Sequence, residues 1–486
     1  MFSAIDKIFA DKKCIGILGM GREGMSSYAL LRRYYPDKEL FLFDEREDFL
    51  SRMPELSEDK YVQMLTGERI YEFIETERNI DFILKTPGIS LKNHPLLKSD
   101  PRMSSQTEVF LTLFGAQCIG VTGTKGKSTT THLIYHLLKT AGKPVLLAGN
   151  MGIPFFDVIS EINTDVIIVC ELSSHQLESV YHAPYTGVLL NLFEEHLDHY
   201  VDFLAYQRAK MNIFGKLKDV PFAGIYSAKK SDISSMGDVG GNIAIYNADD
   251  VLIAERFREI KFNGIKIPFG TSVAGTAISE SPSDSSSEKN ASTFDMQELL
   301  STPCALIGKH NAMNKQAAIL AVRAAGVTDE QIKNGLKTFK TLPHRLQYIG
   351  KVNGIHFYND SISTIPQAAI AAIESVGTQH KVGSVILGGL DRGIDYSALT
   401  EYLQKNPIKN IAFTGQAGRR IKMLLKQANA LPQSTVETDN YADIVEWCKR
   451  HTGKGNACIL SPAAASYDNF KNFEERGTVF TNLVLG

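Results

Sequence analysis

Short, unbroken apolar runs alternate with amphipathic stretches along most of this chain. Runs of that length suit strands buried on both faces, and the stretches between them suit helices that cover those faces. The pattern predicts α/β layers with largely parallel sheets, not a helical bundle or a β-sandwich. The first unit opens with CIGILG (14–19), a helix at about 24–34, ELFLFD (39–44) and FILKTPGIS (82–90). The second has a strand at Gln117 to Thr122, a helix with Leu133, Ile134, Leu137 and Leu138 on one face, and strands at VIIVC (166–170) and GVLLNL (187–192). The third has strands near IHFYND (355–360), SVILGG (384–389), NIAFTG (410–415) and ACILSP (457–462). No short repeat is present, which excludes solenoids and propellers.

A chain of 486 residues is too long for one ordinary core, and usual domain sizes suggest roughly three domains. The expected division is 1–105, 106–341 and 342–486. A Ser-rich, charged stretch at about 279–292 is too polar to pack and reads as a surface loop without chemistry. The formal net charge of -2 disfavours nucleic acid and anionic membrane surfaces as partners. The six cysteines are scattered with no CxxC pair, as suits free thiols in a reducing compartment. No apolar run approaches a membrane span and the N-terminus lacks a signal peptide's pattern, so a cytoplasmic protein without membrane insertion is expected.

The sharpest chemical signal is VTGTKGKSTT (121–130), set between a strand and a helix. There, consecutive backbone N–H groups and the helix N-terminus can surround phosphate oxygens. Gly123 and Gly126 let the backbone approach, Lys127 would neutralise phosphate charge, and the Ser128 hydroxyl suits Mg²⁺. The spacing departs from the standard P-loop, since position 121 holds Val where Gly is required. In open α/β sheets ligands sit beyond the carboxyl ends of the strands, so residues following neighbouring strands face the same phosphates. Those are Glu171 to Gln176 and Glu194 to Asp198, with Glu171 and His196 as candidate metal ligands; an ordinary helix cap competes at each. A second glycine pattern, GMGREG (19–24), follows the first strand, and Asp44 closes the next. Alone that is a weak dinucleotide fingerprint, since tight strand-to-helix turns need glycines anyway.

The ordered segments GTKGKST (123–129), ELSSHQLE (171–178), EEHLDHY (194–200), GKHNAMN (308–314), LPHR (342–345) and LSPAAASYDNFKNFEERG (460–477) resemble the signature of the Mur ligases over nearly the whole chain. The last is similar to the branch that adds glutamate to UDP-N-acetylmuramoyl-L-alanine. Folylpolyglutamate synthases share the central motifs but not that one. The resemblance implies three domains: a Rossmann-like N-terminal domain binding UDP-sugar, a central P-loop-type ATP-binding domain and a Rossmann-like C-terminal domain binding the amino acid. ATP would be held by Gly123, Thr124, Lys125, Gly126, Lys127, Ser128, Thr129, Asn311 and Asn314, with Arg345 and Asp360 reaching it from the third domain. Two Mg²⁺ ions would rest on Ser128, Glu171, His196 and Lys210, the last carbamylated; without the resemblance, Lys210 reads as solvated surface. Lys127, Lys210, His196 and Glu171 form the implied catalytic set. The UDP substrate would meet Gly21, Arg22, Glu23, Asp44, Arg46, Thr86, Gly88, Asn150, Ser173 and Gln176, with Glu23 acting through its backbone N–H. A monomer is expected.

Thr364, Arg392, Ser466 and Phe473 would bind glutamate. Here the family pattern changes: Ile362 stands where a lysine is usual, and Arg392 replaces a lysine after the GG turn. Arginine keeps a cation for a carboxylate with altered geometry. DSIST and DRG resemble an L-glutamate-adding variant, whereas SYDNFKNFEERG keeps the D-glutamate form; D-glutamate is placed first on family frequency. The expected reaction phosphorylates the substrate carboxylate with ATP, then forms an amide by attack of the glutamate amine, releasing ADP and phosphate. Two other readings stand beside it. An NAD-dependent oxidoreductase would use residues 19–24 and Asp44. A non-catalytic nucleotide-binding subunit, like the Mur-related partner of a glutamine amidotransferase, would need a cysteine cluster that this chain lacks.

Overall fold

The computed structural model describes residues 2–215, 242–260, 262, 264–271 and 296–486. The Ser-rich stretch at 279–292 lies outside the described residues. Contacts divide the chain into two compact units, Met1–Ser301 with Met313–Gly335, and Thr302–Ala312 with Leu336–Gly486.

The first unit carries two sheets. One holds β1 (Cys14–Leu18), β2 (Glu39–Asp44), β3 (Val62–Thr66), β4 (Phe82–Lys85) and β5 (Met103–Ser104) in the order β3-β2-β1-β4-β5, all parallel. FILKTPGIS is strand only as far as Lys85. Pro87 has no N–H to give a ladder, and the chain turns there with Ile89 N–H donating to Thr86 O. The other sheet holds β6 (Cys118–Thr122), β7 (Val145–Gly149), β8 (Ile167–Glu171), β9 (Thr186–Leu189), β10 (Ile243–Asn247) and β11 (Ile265–Phe269) in the order β11-β10-β9-β6-β8-β7. All its pairings are parallel. The strand predicted through Leu192 stops at Leu189, because Leu192 N–H is taken by the Asp250 carboxylate at 2.7 Å. One apolar cluster joins the two sheets, running from Ile15 and Ile17 through Phe110 and Phe155 to Ile168. Its connector is the helix Gln106–Phe114, capped by the Ser105 hydroxyl.

The second unit carries β12 (Gln347–Val352), β13 (Ile355–Asn359), β14 (Val382–Gly388), β15 (Asn410–Thr414), β16 (Ser434–Glu437) and β17 (Ala457–Leu460), ordered β12-β13-β17-β14-β15-β16. Only β12 with β13 is antiparallel. The six cysteines are free thiols, five of them buried. No helix among the described residues is long and apolar enough to cross a membrane.

Candidate active site

β6 lies between β9 and β8, and from its end the chain turns into the helix Lys127–Thr140. Gly126 caps that helix at φ 88° with no side-chain hydrogen bond, and no acidic residue stands in the first turn. The first-turn N–H groups and the positive end of the helix dipole are therefore presented to an anion. Side chains are excluded at the two glycines of this turn. A Cβ on Gly126 would overlap Asn314 Oδ1, and one on Gly123 would come 2.9 Å from Leu190 Cβ. Thr124 is buried, bonded to Tyr206 Oη at 2.8 Å and accepting from Phe193 N–H at 2.9 Å. Lys125 donates instead to Glu195, at 2.6 Å.

Lys127 Nζ donates to the carbonyls of Gly123 and Thr124, at 2.9 and 3.0 Å. Lys210, on the helix Phe203–Met211, is 2% exposed, and its Nζ donates to the same Gly123 carbonyl at 2.9 Å. Two lysines thus converge on one oxygen. Burial, followed by the charge of Lys127, holds the Lys210 amine well below the usual lysine range. This lysine is not solvated surface.

Glu171 ends β8, buried, with Oε1 accepting from Asn150 Nδ2 at 2.8 Å and Oε2 enclosed without a hydrogen-bond partner. A buried carboxylate oxygen left open fits a cation's ligand better than a structural acceptor. Among the described residues no three His, Cys, Asp or Glu side chains are grouped for a metal. Glu171 is therefore the buried carboxylate that this site could offer to a cation. His196 stands at φ 61° on the loop after β9, 43% exposed in its side chain, with Nε2 3.8 Å from Glu195. Burial lowers its pKa, with Glu195 opposing. Its ring lies 4.8 Å from His175, which burial drives down to about 4.

Around the first glycine turn, Gly19 and Gly24 are sterically required, since a Cβ on either would overlap Thr86 Oγ1 or Gly19 O. Gly21 has no such neighbour. Asp44, which a nicotinamide enzyme would aim at a ribose, is fully engaged: it accepts from Met20 N–H at 2.9 Å and from Arg46 Nε and Nη2 at 2.8 and 2.9 Å. Glu23 turns into the protein, where Gln176 Nε2 meets its Oε1 at 2.7 Å and burial raises its pKa. Ser173 and Gln176 form a capping box on the helix Ser174–Leu177, so the cap reading holds for this pair as well. Arg22 is exposed and reaches the turn of Gly152, beside Asn150. Thr86 Oγ1 donates to Leu18 O at 3.2 Å, and Gly88 is exposed.

Glu178 and His199 lie inside motifs quoted above but received no role there. Glu178 accepts from Lys98 Nζ at 3.0 Å and lies 3.0 Å from His199 Nε2, while Ser90 donates to His199 O at 3.0 Å. The loop after β4 is thereby tied to the loop of His196. Burial alone would raise the Glu178 carboxyl, but His199, Lys85 and Lys98 bring it down to about 2. A folded pKa below the ordinary carboxylate value gives stability that is present above about 4.5 and lost as pH falls toward about 2. Glu178→Gln should therefore be less stable than the parent at pH 7 in urea unfolding, and the gap should narrow at pH 4. An unchanging gap would show that the charge is not responsible.

In the second unit Asp360 is buried and saturated by Leu346 N–H at 3.0 Å and the hydroxyls of Ser363 and Ser461 at 2.5 and 2.8 Å. Burial raises its pKa to about 6. It fixes the turn after Arg345, where His344 and Leu346 have positive φ. Asn311 Nδ2 donates to Ile307 O at 2.9 Å. Arg392 is exposed, Ser466 buried, and Thr364 and Phe473 half-buried.

The Mur ligase middle domain family matches residues 121–322. The chain is 30% identical over 490 residues to a UDP-N-acetylmuramoylalanine–D-glutamate ligase of Geobacillus kaustophilus, and 31% over 493 residues to that of Elusimicrobium minutum, covering 98% of each chain in both cases. Among solved structures, MurF from Acinetobacter baumannii is similar with a TM-score of 0.54 at 16% identity, over 97% of this chain and 90% of that one. MurC from Thermotoga maritima gives 0.52 at 14%, over 96% and 98%. At such identities the two structures establish the fold, and the full-length similarity establishes the family. The chain belongs to the Mur ligases, in the family of the UDP-N-acetylmuramoylalanine–D-glutamate ligases.

Proposed function

We propose that this chain is an ATP-dependent ligase that joins D-glutamate to UDP-N-acetylmuramoyl-L-alanine in peptidoglycan precursor synthesis. The observation that carries the reading is the pair Lys127 and Lys210 on one loop carbonyl, with the charge of Glu171 acting on Lys210. ATP phosphates would lie on the loop at 123–129, with Asn314 beside Gly126. Ser128, Glu171, His196 and Lys210 would hold Mg²⁺, which when bound neutralises charge on the transferred phosphoryl group. A lysine amine whose pKa is lowered by burial can attack CO₂ in its deprotonated form, forming an N–C bond and releasing a proton to water. The resulting carbamate turns a cation into an oxygen ligand, which suits a site with one buried carboxylate. Lys127 and the loop N–H groups would steady the phosphoryl group as the substrate carboxylate attacks it. The glutamate amine would then attack the acyl phosphate, forming the amide as phosphate leaves.

In this reading residues 1–105 bind the UDP-sugar through Gly21, Arg22 and the turn at 86–88. Residues 106–341 bind ATP, and residues 342–486 bind glutamate through Thr364, Arg392, Ser466 and Phe473. Asp44 and Arg46 would shape the first site as a bonded pair. The engagement of Asp44 also counts against nicotinamide binding. The protein would act as a cytoplasmic monomer. The test is phosphate release by purified protein given ATP, Mg²⁺ and UDP-N-acetylmuramoyl-L-alanine, with D- or L-glutamate added separately. Release is expected only with the muramoyl substrate and D-glutamate. Preference for L-glutamate would overturn the stereochemical assignment, and ATP hydrolysis indifferent to the muramoyl substrate would overturn the ligase.

A further inference from the structure

Arg476 lies in the first turn of the helix Phe473–Leu485 and is 1% exposed. Its position is unfavourable on three counts. The cation is buried, it sits at the positive end of a helix, and the charge of Asp468 offsets the cost of that burial only in part. Four loop oxygens accept from it, and the Tyr441 side chain lies beside it. Nε donates to Ser361 Oγ at 3.0 Å, Nη2 to Ser361 O at 2.7 Å and Ala464 O at 3.1 Å, and Nη1 to Ala465 O at 3.2 Å. Ser361 Oγ in turn donates a hydrogen bond to Phe473 O at 2.8 Å.

These oxygens belong to separate loops. Ser361 begins the turn after β13, and Ala464 and Ala465 lead into Ser466. The turn after β14 joins them, since Leu390 N–H donates to Ala465 O at 2.9 Å and a Cβ on Gly389 would come 3.0 Å from Nη1. The three segments that carry Thr364, Arg392 and Ser466 therefore meet on one guanidinium.

We propose that Arg476 is the positioning residue of the amino-acid pocket, fixing those three loops in register from beneath and adding a positive charge to the side of the pocket that receives an acidic amino acid. The proposal rests on the reading that these loops bind glutamate. Only a planar fork with five donors can serve several carbonyls in different directions, so lysine is a poor substitute.

The test is steady-state kinetics of the full-length enzyme. Arg476→Lys should raise the KM for glutamate about tenfold, with the KM values for ATP and the muramoyl substrate within about twofold. Arg476→Met, without the charge, should raise it further, so that lysine rescues in part. Ser361→Ala, which removes one of the four contacts, should raise it about threefold and covers the case in which Arg476 variants do not fold. An unchanged glutamate KM in Arg476→Lys and Ser361→Ala, or three KM values rising together, would overturn the proposal. If Ser466→Ala and Arg392→Ala leave the glutamate KM unmoved while Arg476→Lys raises it, the residue assignments of the pocket fail and the positioning role stands.

Discussion

Lys210→Ala should lower turnover by about a thousandfold, the size of loss expected when a preorganised charge is removed from a phosphoryl-transfer site. The side chain is buried against the phosphate loop, and its Nζ shares the Gly123 carbonyl with Lys127. Alanine removes both the loop contact and the amine that would carry a carbamate. The cavity it leaves could admit a small carboxylic acid, so acetate or formate should restore part of the rate. Labelled bicarbonate gives a readout apart from turnover: a lysine carbamate signal is expected in the parent and not in the variant. A variant with undiminished phosphate release would refute this role for Lys210.

Glu171→Gln should cost about a hundredfold to a thousandfold in turnover while leaving the melting temperature equal or higher. The amide keeps the shape and can still accept from Asn150, but it removes a carboxylate whose buried Oε2 has no hydrogen-bond partner among the described residues. Such an oxygen is a stability cost retained for function. Titration of Mg²⁺ against rate should show a raised requirement for the ion. Loss of activity with a matching loss of stability would make Glu171 a structural residue, contrary to the assignment.

How much of this could be read in the sequence depends on whether a feature is local. β1, β2, β6 and β8 are continuous apolar runs buried on both faces and can be read directly. β3 and β12 are partly exposed edge strands, VQMLT and QYIGKV, whose mixed polarity hides them. The glycines of the phosphate loop are legible because their spacing is short. The engagement of Asp44 by Met20, the pair Glu178 and His199, and the loops gathered on Arg476 join residues far apart in the chain. An arginine in NFEERG looks like surface charge until the fold places it inside. Lys210 is the intermediate case, since only a resemblance distinguishes it from an ordinary helix lysine.

The phosphate loop also holds its own cation in place. Lys127 donates to the carbonyls of Gly123 and Thr124, so its ammonium is held against the turn by the loop's own oxygens. A phosphate bound there as proposed would have to compete with these carbonyl oxygens for the ammonium, so the net attraction would be a difference between two sets of partners. A weakly charged anion that offers little more than the carbonyls gains little by entering, whereas a polyphosphate that also meets the helix N-terminus gains much. If the loop binds ATP phosphates as proposed, it would discriminate among anions by exchange, and part of its selectivity would originate in bonds it already makes to itself.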